Sequence, residues 1–313
     1  MKKSKIIITG ADGFIGSAVA NKFLQLGHQV LALDIKETPT RLIKSSKLTY
    51  IQWDMFDNGF GSEALEDLLP ASYDVFLHFG WAGSSGADRK NLTLQQKNAM
   101  AIEDCVYWAY RFGCKKFIGA GSLMEYEVEC ATHTDNKLTS INYYGYGKLL
   151  AHYIAKKACQ DYNIDFIWGI ITNAYGPQET SPRFINSTMK KIINNTELRF
   201  NSSGLQNYDF IYIDDLVQAF YLLATNEASG EYILGSGFAK PLYKFVLEMI
   251  KICDKNIMPL FDLSNDVDCS LPVGTFDISK LKELGWSQTV PFEEGIKRLK
   301  DWMEKENEKI SIL

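Results

Sequence analysis

Apolar runs and amphipathic stretches alternate along the first half of the chain. Short, nearly continuous apolar runs, which are typical of buried strands, lie at residues 5–9, 29–34, 74–79, 116–120 and 166–171. Stretches with apolar residues at helical spacing lie between them, near residues 14–26, 62–69, 92–112 and 143–160. Apolar strands that alternate with helices indicate a parallel sheet with helices on both faces. The pattern therefore predicts an α/β fold with a doubly wound parallel sheet.

The pattern changes near residue 173, after which loops and shorter, mixed elements dominate. Apolar segments return at residues 209–213 and 231–234. We expect residues 1–172 to form the sheet, with the chain returning to it near residues 208–240. Residues 173–313 would otherwise form a smaller second region.

The composition is that of an ordinary globular protein and excludes several kinds of partner. The 313 residues are 46% hydrophobic and 23% charged, which allows a sizeable core. A net charge of −5 lacks the basic footprint of a nucleic-acid-binding protein. No apolar run reaches the roughly 18 residues that a membrane span requires. We expect a cytoplasmic protein that binds neither nucleic acid nor membrane.

Cysteine and histidine positions give no sign of a disulfide framework or a metal site. The six cysteines show no CxxC spacing, which favours free thiols in a cytoplasmic protein. The four histidines are scattered along the chain. We therefore expect no bound metal.

The segment IIITGADGFIG brings three glycines to the turn between the first strand and the first helix. Gly10, Gly13 and Gly16 would let the backbone approach a pyrophosphate, to which the start of the helix offers free N–H groups. The second strand ends in Asp34, whose carboxylate can accept hydrogen bonds from the adenosine ribose hydroxyls. This context predicts a Rossmann-type dinucleotide-binding domain over residues 1–172. A glycine-rich turn without a ligand is the alternative.

Asp34 also bears on which dinucleotide binds. Its carboxylate should repel the 2′-phosphate of NADP(H), so NAD(H) is the preferred cofactor. Lys36 follows two residues later and could neutralise such a phosphate. NADP(H) therefore stays an alternative.

The segment INYYGYGKLLAHYIAKK places three tyrosines in front of one lysine. Tyr144 lies four residues before Lys148, so the two side chains should share one face of a helix. Tyr143 and Tyr146 lie five and two residues before it and should face elsewhere. An ammonium close to a phenol favours the phenolate, which suits proton transfer. The spacing alone also arises by chance and by plain packing.

These residues resemble the extended short-chain dehydrogenase/reductase family, in its nucleotide-sugar branch, over nearly the whole chain. The glycine signature is similar to TGADGFIG, and the later segments TNAYGP, YDFIYIDDLVQAF and FDISKLKELGW are similar to other family landmarks. The resemblance implies that the cofactor is bound by Gly10, Gly13, Phe14, Ile15, Gly16, Asp34, Asp54, Met55, Phe79, Gly80, Asn98, Tyr144 and Lys148. Within this set Asp54 and Met55 would hold adenine, and Asn98 would support the active site from the central helix.

The same resemblance implies the catalytic and substrate-binding residues. Ser122 stands four residues before Tyr126, at the family spacing of its catalytic Ser or Thr. The catalytic set would be Ser122, Tyr144 and Lys148. We expect a nucleotide-sugar substrate to contact Asn173, Arg183 and Tyr208 in the substrate-binding region 173–313, together with Ser84 and Glu125 from the first region.

Beside Ser122 the sequence departs from the family in an informative way. Members that dehydrate the sugar carry Asp-Glu directly after the catalytic residue, whereas this chain has Leu123 and Met124. Neither side chain can act as the acid or base that water elimination requires. We therefore reject a 4,6-dehydratase.

A second departure concerns the arginines that grip the substrate diphosphate in the family. Tyr208 stands where one of them is expected, and the run LPVGTFD before ISK lacks another. Arg183, Lys190 and Arg199 are candidate replacements, and a solvated surface role is the alternative for each.

Glu125 and His152 invite further roles. Glu125 follows Ser122 closely and could reach the substrate as a second acid or base, although the family position is usually apolar. His152 lies four residues after Lys148 on the same helix face. A packed or surface histidine is the favoured interpretation of His152.

The resemblance implies an enzyme that transfers hydride between a nicotinamide and a sugar carbon. WAGSSGADRKNLTLQQKN and GAGSLMEYE are similar to segments of deoxysugar 4-ketoreductases, which favours reduction of a 4-keto-6-deoxy nucleotide sugar. A 4-epimerase with tightly bound NAD is the alternative, and Asp34 favours it. A non-catalytic dinucleotide-binding protein is a distant third.

The family also implies a homodimer through the helices near 92–112 and 143–160. Tyr107, Trp108 and Tyr110 are unusually aromatic for a solvated helix face, and such patches often mark interfaces. The alternative is that they pack against the sheet.

Overall fold

The computed structural model of the protein describes residues 3–57, 62–69, 71–133, 142–264 and 271–312. Its strands are β1 (Lys5–Thr9), β2 (Gln29–Asp34), β3 (Leu48–Gln52), β4 (Val75–His78), β5 (Lys116–Ser122), β6 (Asp165–Ile171), β7 (Ala174–Tyr175), β8 (Arg199–Phe200), β9 (Asn207–Tyr208), β10 (Ile211–Tyr212), β11 (Gly230–Leu234), β12 (Lys240–Pro241) and β13 (Leu260–Phe261). Its helices are α1 (Phe14–Gln25), α2 (Ser62–Glu66), α3 (Leu92–Arg111), α4 (Met124–His133), α5 (Tyr143–Asp161), α6 (Phe184–Ile193), α7 (Ile213–Thr225), α8 (Leu242–Ile252), α9 (Ser279–Glu283) and α10 (Phe292–Ile312), with short 3₁₀ helices at Gly86–Lys90 and Val273–Phe276.

Seven parallel strands form the central sheet in the order β11-β6-β5-β4-β1-β2-β3. The sheet is covered on both faces, which is why β1 is apolar throughout. Ile6 and Ile8 contribute to the core under α1 and α7, while Ile7 contributes to the core under α3 and α5. All three side chains are fully buried. The predicted Rossmann-type α/β fold is confirmed.

The strand order reverses beside β1, which pairs with β2 on one edge and with β4 on the other. Crossover helices therefore leave the sheet in opposite directions at this point and open a crevice beyond the carboxyl ends of β1 and β4. Ligands of doubly wound sheets bind in such a crevice. The topology thus places a binding site above the TGADGFIG turn.

The chain returns to the sheet after residue 208. Helix α7 packs on α1, and β11 extends the sheet by pairing with β6, with Leu234 opposite Ile171. The short pairs β7–β10, β9–β12 and β8–β13 lie outside the central sheet. A division of the chain at residue 172 into dinucleotide-binding and substrate-binding parts stays a prediction.

The described ranges contain no membrane-spanning helix, no cluster of metal ligands and no disulfide. None of the helices there combines the length and apolar character needed to cross a bilayer. The His, Cys, Asp and Glu side chains of the same ranges form no group of three or more that could hold a metal ion. No disulfide joins the cysteines of these ranges, and Cys269 lies outside them.

Candidate active site

The turn between β1 and α1 is so tightly packed that it requires glycine. Gly10 has φ +62°, and a Cβ there would lie 2.7 Å from the amide nitrogen of Gly80. A Cβ on Gly16 would lie 2.1 Å from the carbonyl oxygen of Gly10. Gly13 precedes α1 and supplies no side-chain cap, so the first N–H groups of the helix are left for a ligand. This cradle fits the pyrophosphate of a dinucleotide.

A cavity of about 440 Å³ runs along the carboxyl edge of the sheet above this turn. Twelve of the thirteen residues predicted to bind the cofactor line it, namely Gly10, Gly13, Phe14, Ile15, Gly16, Asp34, Asp54, Met55, Phe79, Gly80, Tyr144 and Lys148. The exception is Asn98, which is fully buried. Its side-chain amide exchanges hydrogen bonds of 2.8 and 2.9 Å with the backbone of Ala82. Asn98 therefore supports the loop that lines the cavity and does not line it.

At the adenosine end of the cavity, Asp34 is nearly buried and oriented by the backbone. Its carboxylate accepts hydrogen bonds from the amides of Asp12 at 2.8 Å and Lys36 at 3.2 Å. The Lys36 ammonium forms an ion pair of 2.7 Å with the buried Asp12 carboxylate. Lys36 is therefore already engaged by an anion of the protein, which limits its ability to neutralise a 2′-phosphate.

At the opposite end, the carboxyl end of β5 and the first turns of α5 bring together Ser122, Tyr144 and Lys148. All three line the cavity. The Lys148 ammonium donates a hydrogen bond of 2.8 Å to the carbonyl oxygen of Ala120 and lies 3.6 Å from the Trp81 ring centroid. It lies 5.9 Å from the ring centroid of Tyr144. A cation is thus held next to the phenol.

The helix face resolves the choice among the three tyrosines. The Tyr144 side chain is buried, with only 8% of the residue exposed, on the side of Lys148. Tyr143 and Tyr146 are 45% and 40% exposed and lie on the other face. The placement agrees with the one derived from helical spacing.

Lys148 is almost completely buried, and this burial is the main cause of the shift in its pKa. Removal from water lowers the pKa of Lys148 to about 7, partly opposed by the negative charge of Glu125 and assisted by the positive charge of Arg183. His78, a neighbour on β4, has its pKa lowered to about 3 by its own burial and by Lys148. The ammonium therefore sits close to its point of deprotonation at neutral pH.

Glu125 is placed differently from its predicted role as a substrate contact. It is 1% exposed and lies behind Ser122. It lines neither the cavity described above nor a second cavity that adjoins it at Ser122 and Tyr144. Its carboxylate accepts hydrogen bonds from the Ser122 amide at 2.7 Å and from the Trp168 indole at 3.0 Å, and it contacts His152 Nδ1 at 3.0 Å. The assignment of Glu125 to substrate binding is therefore corrected, because these partners occupy its oxygens.

A second cavity of about 380 Å³ adjoins the first at Ser122 and Tyr144. The other four predicted substrate contacts line it, namely Ser84, Asn173, Arg183 and Tyr208. Arg183 forms a 3.5 Å ion pair with Glu179. Lys190 and Arg199, the other two candidate cations for the diphosphate, do not line this cavity.

The substrate cavity also contains charged residues that the sequence did not reveal. The Arg89 guanidinium lies 4.6 Å from the ring centroid of Tyr144, and Glu127 lines the same cavity. Burial raises the pKa of Glu127 to about 7, against the opposing effect of Arg89. Arg89 lies on a 3₁₀ helix after β4 and Glu127 on α4. Only the folded chain brings them together.

The comparison with known proteins places the chain in a family. A family model described as the NAD dependent epimerase/dehydratase family matches residues 6–235. The chain belongs to this family. It is therefore an enzyme that uses NAD(H).

Relatives and solved structures match nearly the full chain. An Escherichia coli protein named dTDP-4-dehydro-6-deoxyglucose reductase is 25% identical over 319 residues, which cover 95% of this chain and 97% of that protein. A Mus musculus protein named dTDP-D-glucose 4,6-dehydratase is 25% identical over 323 residues, covering 96% of this chain and 89% of that protein. The structure of a Thermotoga maritima UDP-glucose 4-epimerase superposes with a TM-score of 0.80 at 19% identity, covering 97% of this chain and 99% of that one. This last likeness establishes the fold alone.

Proposed function

We propose that the protein is a 4-ketoreductase that reduces a 4-keto-6-deoxy nucleotide sugar with NADH in the synthesis of a deoxysugar or surface polysaccharide. The observation that carries this proposal is the chemistry around Ser122. Ser122 and Tyr144 stand where the cofactor and substrate cavities meet, and Lys148 lines the cofactor cavity beside them. The adjoining positions in the substrate cavity are the apolar Leu123 and Met124. This set supports hydride transfer and proton transfer but provides no acid–base pair there for water elimination.

The residues of the chain divide the work of reduction among them. Bound NADH supplies the hydride. Tyr144 donates a proton to the sugar oxygen on which negative charge develops, and the Ser122 hydroxyl donates a hydrogen bond to the same oxygen. The Lys148 ammonium, held by Ala120, stabilises the phenolate that Tyr144 leaves behind.

Recognition of the nucleotide diphosphate requires cations other than the usual arginines. Among the described residues that line the substrate cavity, Arg89 and Arg183 carry positive charge, and Tyr208 stands where the family has arginine. Arg89 lies against Tyr144, near the reacting carbon, whereas Arg183 lines both cavities. We assign the diphosphate to Arg183. A grip by fewer arginines favours an enzyme that takes its keto sugar from solution, because an epimerase must hold that intermediate until the second hydride transfer.

A 4-epimerase is the second candidate, and the observation that favours it is Asp34. This nearly buried carboxylate at the adenosine end selects NAD, which suits an enzyme that recycles its hydride internally. A dinucleotide-binding protein without catalysis is disfavoured, since the full set of Ser122, Tyr144 and Lys148 lines the cavity.

The experiment is incubation of the protein with a panel of 4-keto-6-deoxy nucleotide sugars and a stoichiometric amount of NADH or NADPH. A reductase consumes the reduced cofactor, so the absorbance of its nicotinamide band should fall until one substrate is exhausted. In a parallel incubation with a 4-hydroxy nucleotide sugar and a catalytic amount of NAD, interconversion of the two 4-hydroxy epimers with no net change in this band would support the epimerase instead. Tyr144→Phe is the matched control for adventitious reduction.

We also propose a homodimer formed through α3 and α5, which pack against each other. Exposed apolar and aromatic side chains follow one face of each helix, namely Met100, Tyr107 and Tyr110 on α3 and Tyr143, Tyr146, Leu150 and Tyr153 on α5. Groups of exposed apolar and aromatic side chains of this kind often mark protein interfaces. Trp108 is not part of the patch, because only 7% of it is exposed and it packs in the core.

We further propose a cytoplasmic location. Nucleotide sugars and NADH are cytoplasmic metabolites, and the cysteine pattern fits a reducing compartment. Cys105 and Cys159 are fully buried thiols, and burial raises the pKa of both well above the usual range.

A further inference from the structure

A buried polar cluster lies directly behind Ser122, on the side away from the substrate. Its centre is Glu125, whose partners are the Ser122 amide, the Trp168 indole N–H and His152 Nδ1. Glu125, His152 and Trp168 are 1%, 6% and 0% exposed. They come from α4, α5 and β6, so the cluster joins three elements around the end of β5.

The backbone of β5 is shaped to admit this cluster. A Cβ on Gly119 would lie 2.0 Å from the Trp168 ring, and a Cβ on Gly121 would lie 2.3 Å from the Trp168 indole nitrogen. The Gly121 Cβ would also lie 2.8 Å from a carboxylate oxygen of Glu125. The two glycines of the GAGS segment therefore make room for Trp168 and for the carboxylate that it holds.

A buried carboxylate is unfavourable unless donors compensate for its lost hydration. Packing alone would be served better by an apolar side chain of similar volume. The two N–H donors and the histidine engage both oxygens of the carboxylate at this position. A physical role for this carboxylate must lie in what it touches.

The cluster has two connections to the catalytic set. First, the Glu125 carboxylate accepts from the Ser122 amide at 2.7 Å, which is one of the two bonds of a capping box, and Ser122 Oγ accepts from the Met124 amide at 3.3 Å. Because Ser122 Oγ accepts here, its hydroxyl hydrogen is what it presents to the substrate oxygen. Second, Glu125 and Lys148 meet neighbouring residues at the end of β5: Lys148 donates to the Ala120 carbonyl at 2.8 Å, and a Cβ on Gly121 would lie 2.8 Å from a Glu125 oxygen. At this site the negative charge of Glu125 opposes deprotonation of the buried Lys148.

We propose that Glu125, held by His152 and Trp168, is a positioning residue that fixes the donor geometry of Ser122 and supplies the counter-charge of Lys148. The inference rests on the proposed hydride-transfer function and deepens it. It replaces the direct acid–base role that the sequence suggested for Glu125 with action through its two neighbours.

The pH profile of the enzyme would report the protonation of Lys148, which depends on the titratable and charged groups around it. Glu125 on α4 favours its ammonium form, whereas Arg183, just before α6, disfavours it. His78 on β4 is held neutral, and Tyr144 lies on the same helix. On the far side of the cluster, Glu231 lies 3.2 Å from His152 Nε2 and also pairs with Lys156, both contacts being partly exposed.

The test uses Glu125→Gln, which keeps the size of the side chain and an acceptor for the Ser122 amide but removes the charge. We expect kcat to fall about tenfold or more with KM within about threefold, because substrate contacts are unchanged. The alkaline limb of the kcat profile should move to lower pH, because Lys148 loses its proton more easily. Asp215→Asn is the matched control, since Asp215 is a buried carboxylate that accepts from the amides of Thr289 and Val290, away from both cavities. This control should leave kcat and the pH profile unchanged.

A second measurement does not depend on the sugar substrate. Lys148 lines the cofactor cavity, so NADH affinity, measured by fluorescence titration at a series of pH values, should decline at lower pH in Glu125→Gln than in the unmodified protein. His152→Phe retains a ring against Trp168 but loses the contact with Glu125, and it should shift both profiles in the same direction. The His152→Phe variant takes the place of Glu125→Gln in both measurements if Glu125→Gln does not fold.

The outcomes separate this inference from the proposed function. If no keto sugar is reduced, the reductase proposal fails, while the NADH titration still decides the role of Glu125. If the variant that folds matches the unmodified protein in both pH profiles and in kcat, Glu125 serves packing alone and the inference is overturned. A fall in melting temperature with unchanged profiles would overturn it equally.

Discussion

Replacing Tyr144 by Phe removes one hydroxyl from the centre of the proposed mechanism and little else. The ring is 8% exposed, packs edge-on against Trp81 at 5.9 Å between centroids, and lies under the guanidinium of Arg89. Phe can occupy the same volume and keep these contacts, so the variant should fold and bind NADH as before. Loss of a positioned proton donor lowers kcat by roughly 10²–10⁴, which corresponds to about 3–5 kcal/mol of transition-state stabilisation.

The adjacent tyrosines provide matched controls for this prediction. Tyr143→Phe and Tyr146→Phe remove the same hydroxyl from the exposed face of α5, and kcat should stay within about twofold. The assay is the initial rate of NADH oxidation with a keto sugar, together with NADH affinity by fluorescence. The reasoning about helix faces is refuted if either control variant loses more activity than Tyr144→Phe.

Three further predictions concern the cofactor, the assembly and pH. Asp34→Ala should narrow the preference for NADH over NADPH, and tighter binding of NADPH by the unmodified protein would show that a cation outweighs Asp34 despite the Lys36–Asp12 ion pair. Leu150→Glu, on the exposed patch of α3 and α5, should give a monomer by light scattering, whereas a monomer mass for the unmodified protein at micromolar concentration contradicts the dimer. Burial lowers the pKa of Lys148 to about 7, whereas its ordinary value is near 10.5. Between these two pH values the unfolded chain binds more protons than the folded protein does, so the free energy of unfolding should rise with pH. Lys148→Met should therefore be most stabilised relative to the unmodified protein near pH 7, with the gap in melting temperature closing toward pH 10; a constant gap would contradict the shift.

The sheet could be predicted from the sequence wherever its strands are buried on both faces. β1 is read correctly because Ile6, Ile7 and Ile8 are all fully buried and leave an unbroken apolar run. β3, at the edge of the sheet, does not stand out as such a run because its residues are only partly buried. A search for unbroken apolar runs does not detect a partly exposed strand at the edge of a sheet.

The placement of Tyr144 beside Lys148 could be predicted because their spacing is local, whereas the lining of the substrate cavity could not. Tyr144 and Lys148 share one helix, so helical geometry alone separates Tyr144 from its neighbours. Arg89 and Glu127 are 38 residues apart in the chain and meet only through the tertiary fold. No local sequence pattern therefore indicates that these two side chains lie in one cavity.

The prediction for Glu125 used its closeness to Ser122 in the sequence but not the direction in which its side chain points. Closeness to Ser122 suggested access to the substrate, yet the side chain turns back to the Ser122 amide. The four-residue pattern SLME has the S-x-x-E form of a capping box and carried that signal. The glycines that admit Trp168 behind Ser122 become meaningful only once β5 and β6 are paired.

The central claim, net reduction of a keto sugar, is tested most directly by the fate of the transferred hydrogen. The protein would be mixed with a 4-keto-6-deoxy nucleotide sugar and NADH that carries deuterium at its transferable position, and the product analysed by mass spectrometry and NMR. A reductase places one deuterium on C4 of the sugar for each NADH oxidised. A keto sugar that stays unreduced and free of deuterium with the NADH left intact, while the protein interconverts the two 4-hydroxy epimers of the corresponding nucleotide sugar, would contradict the account.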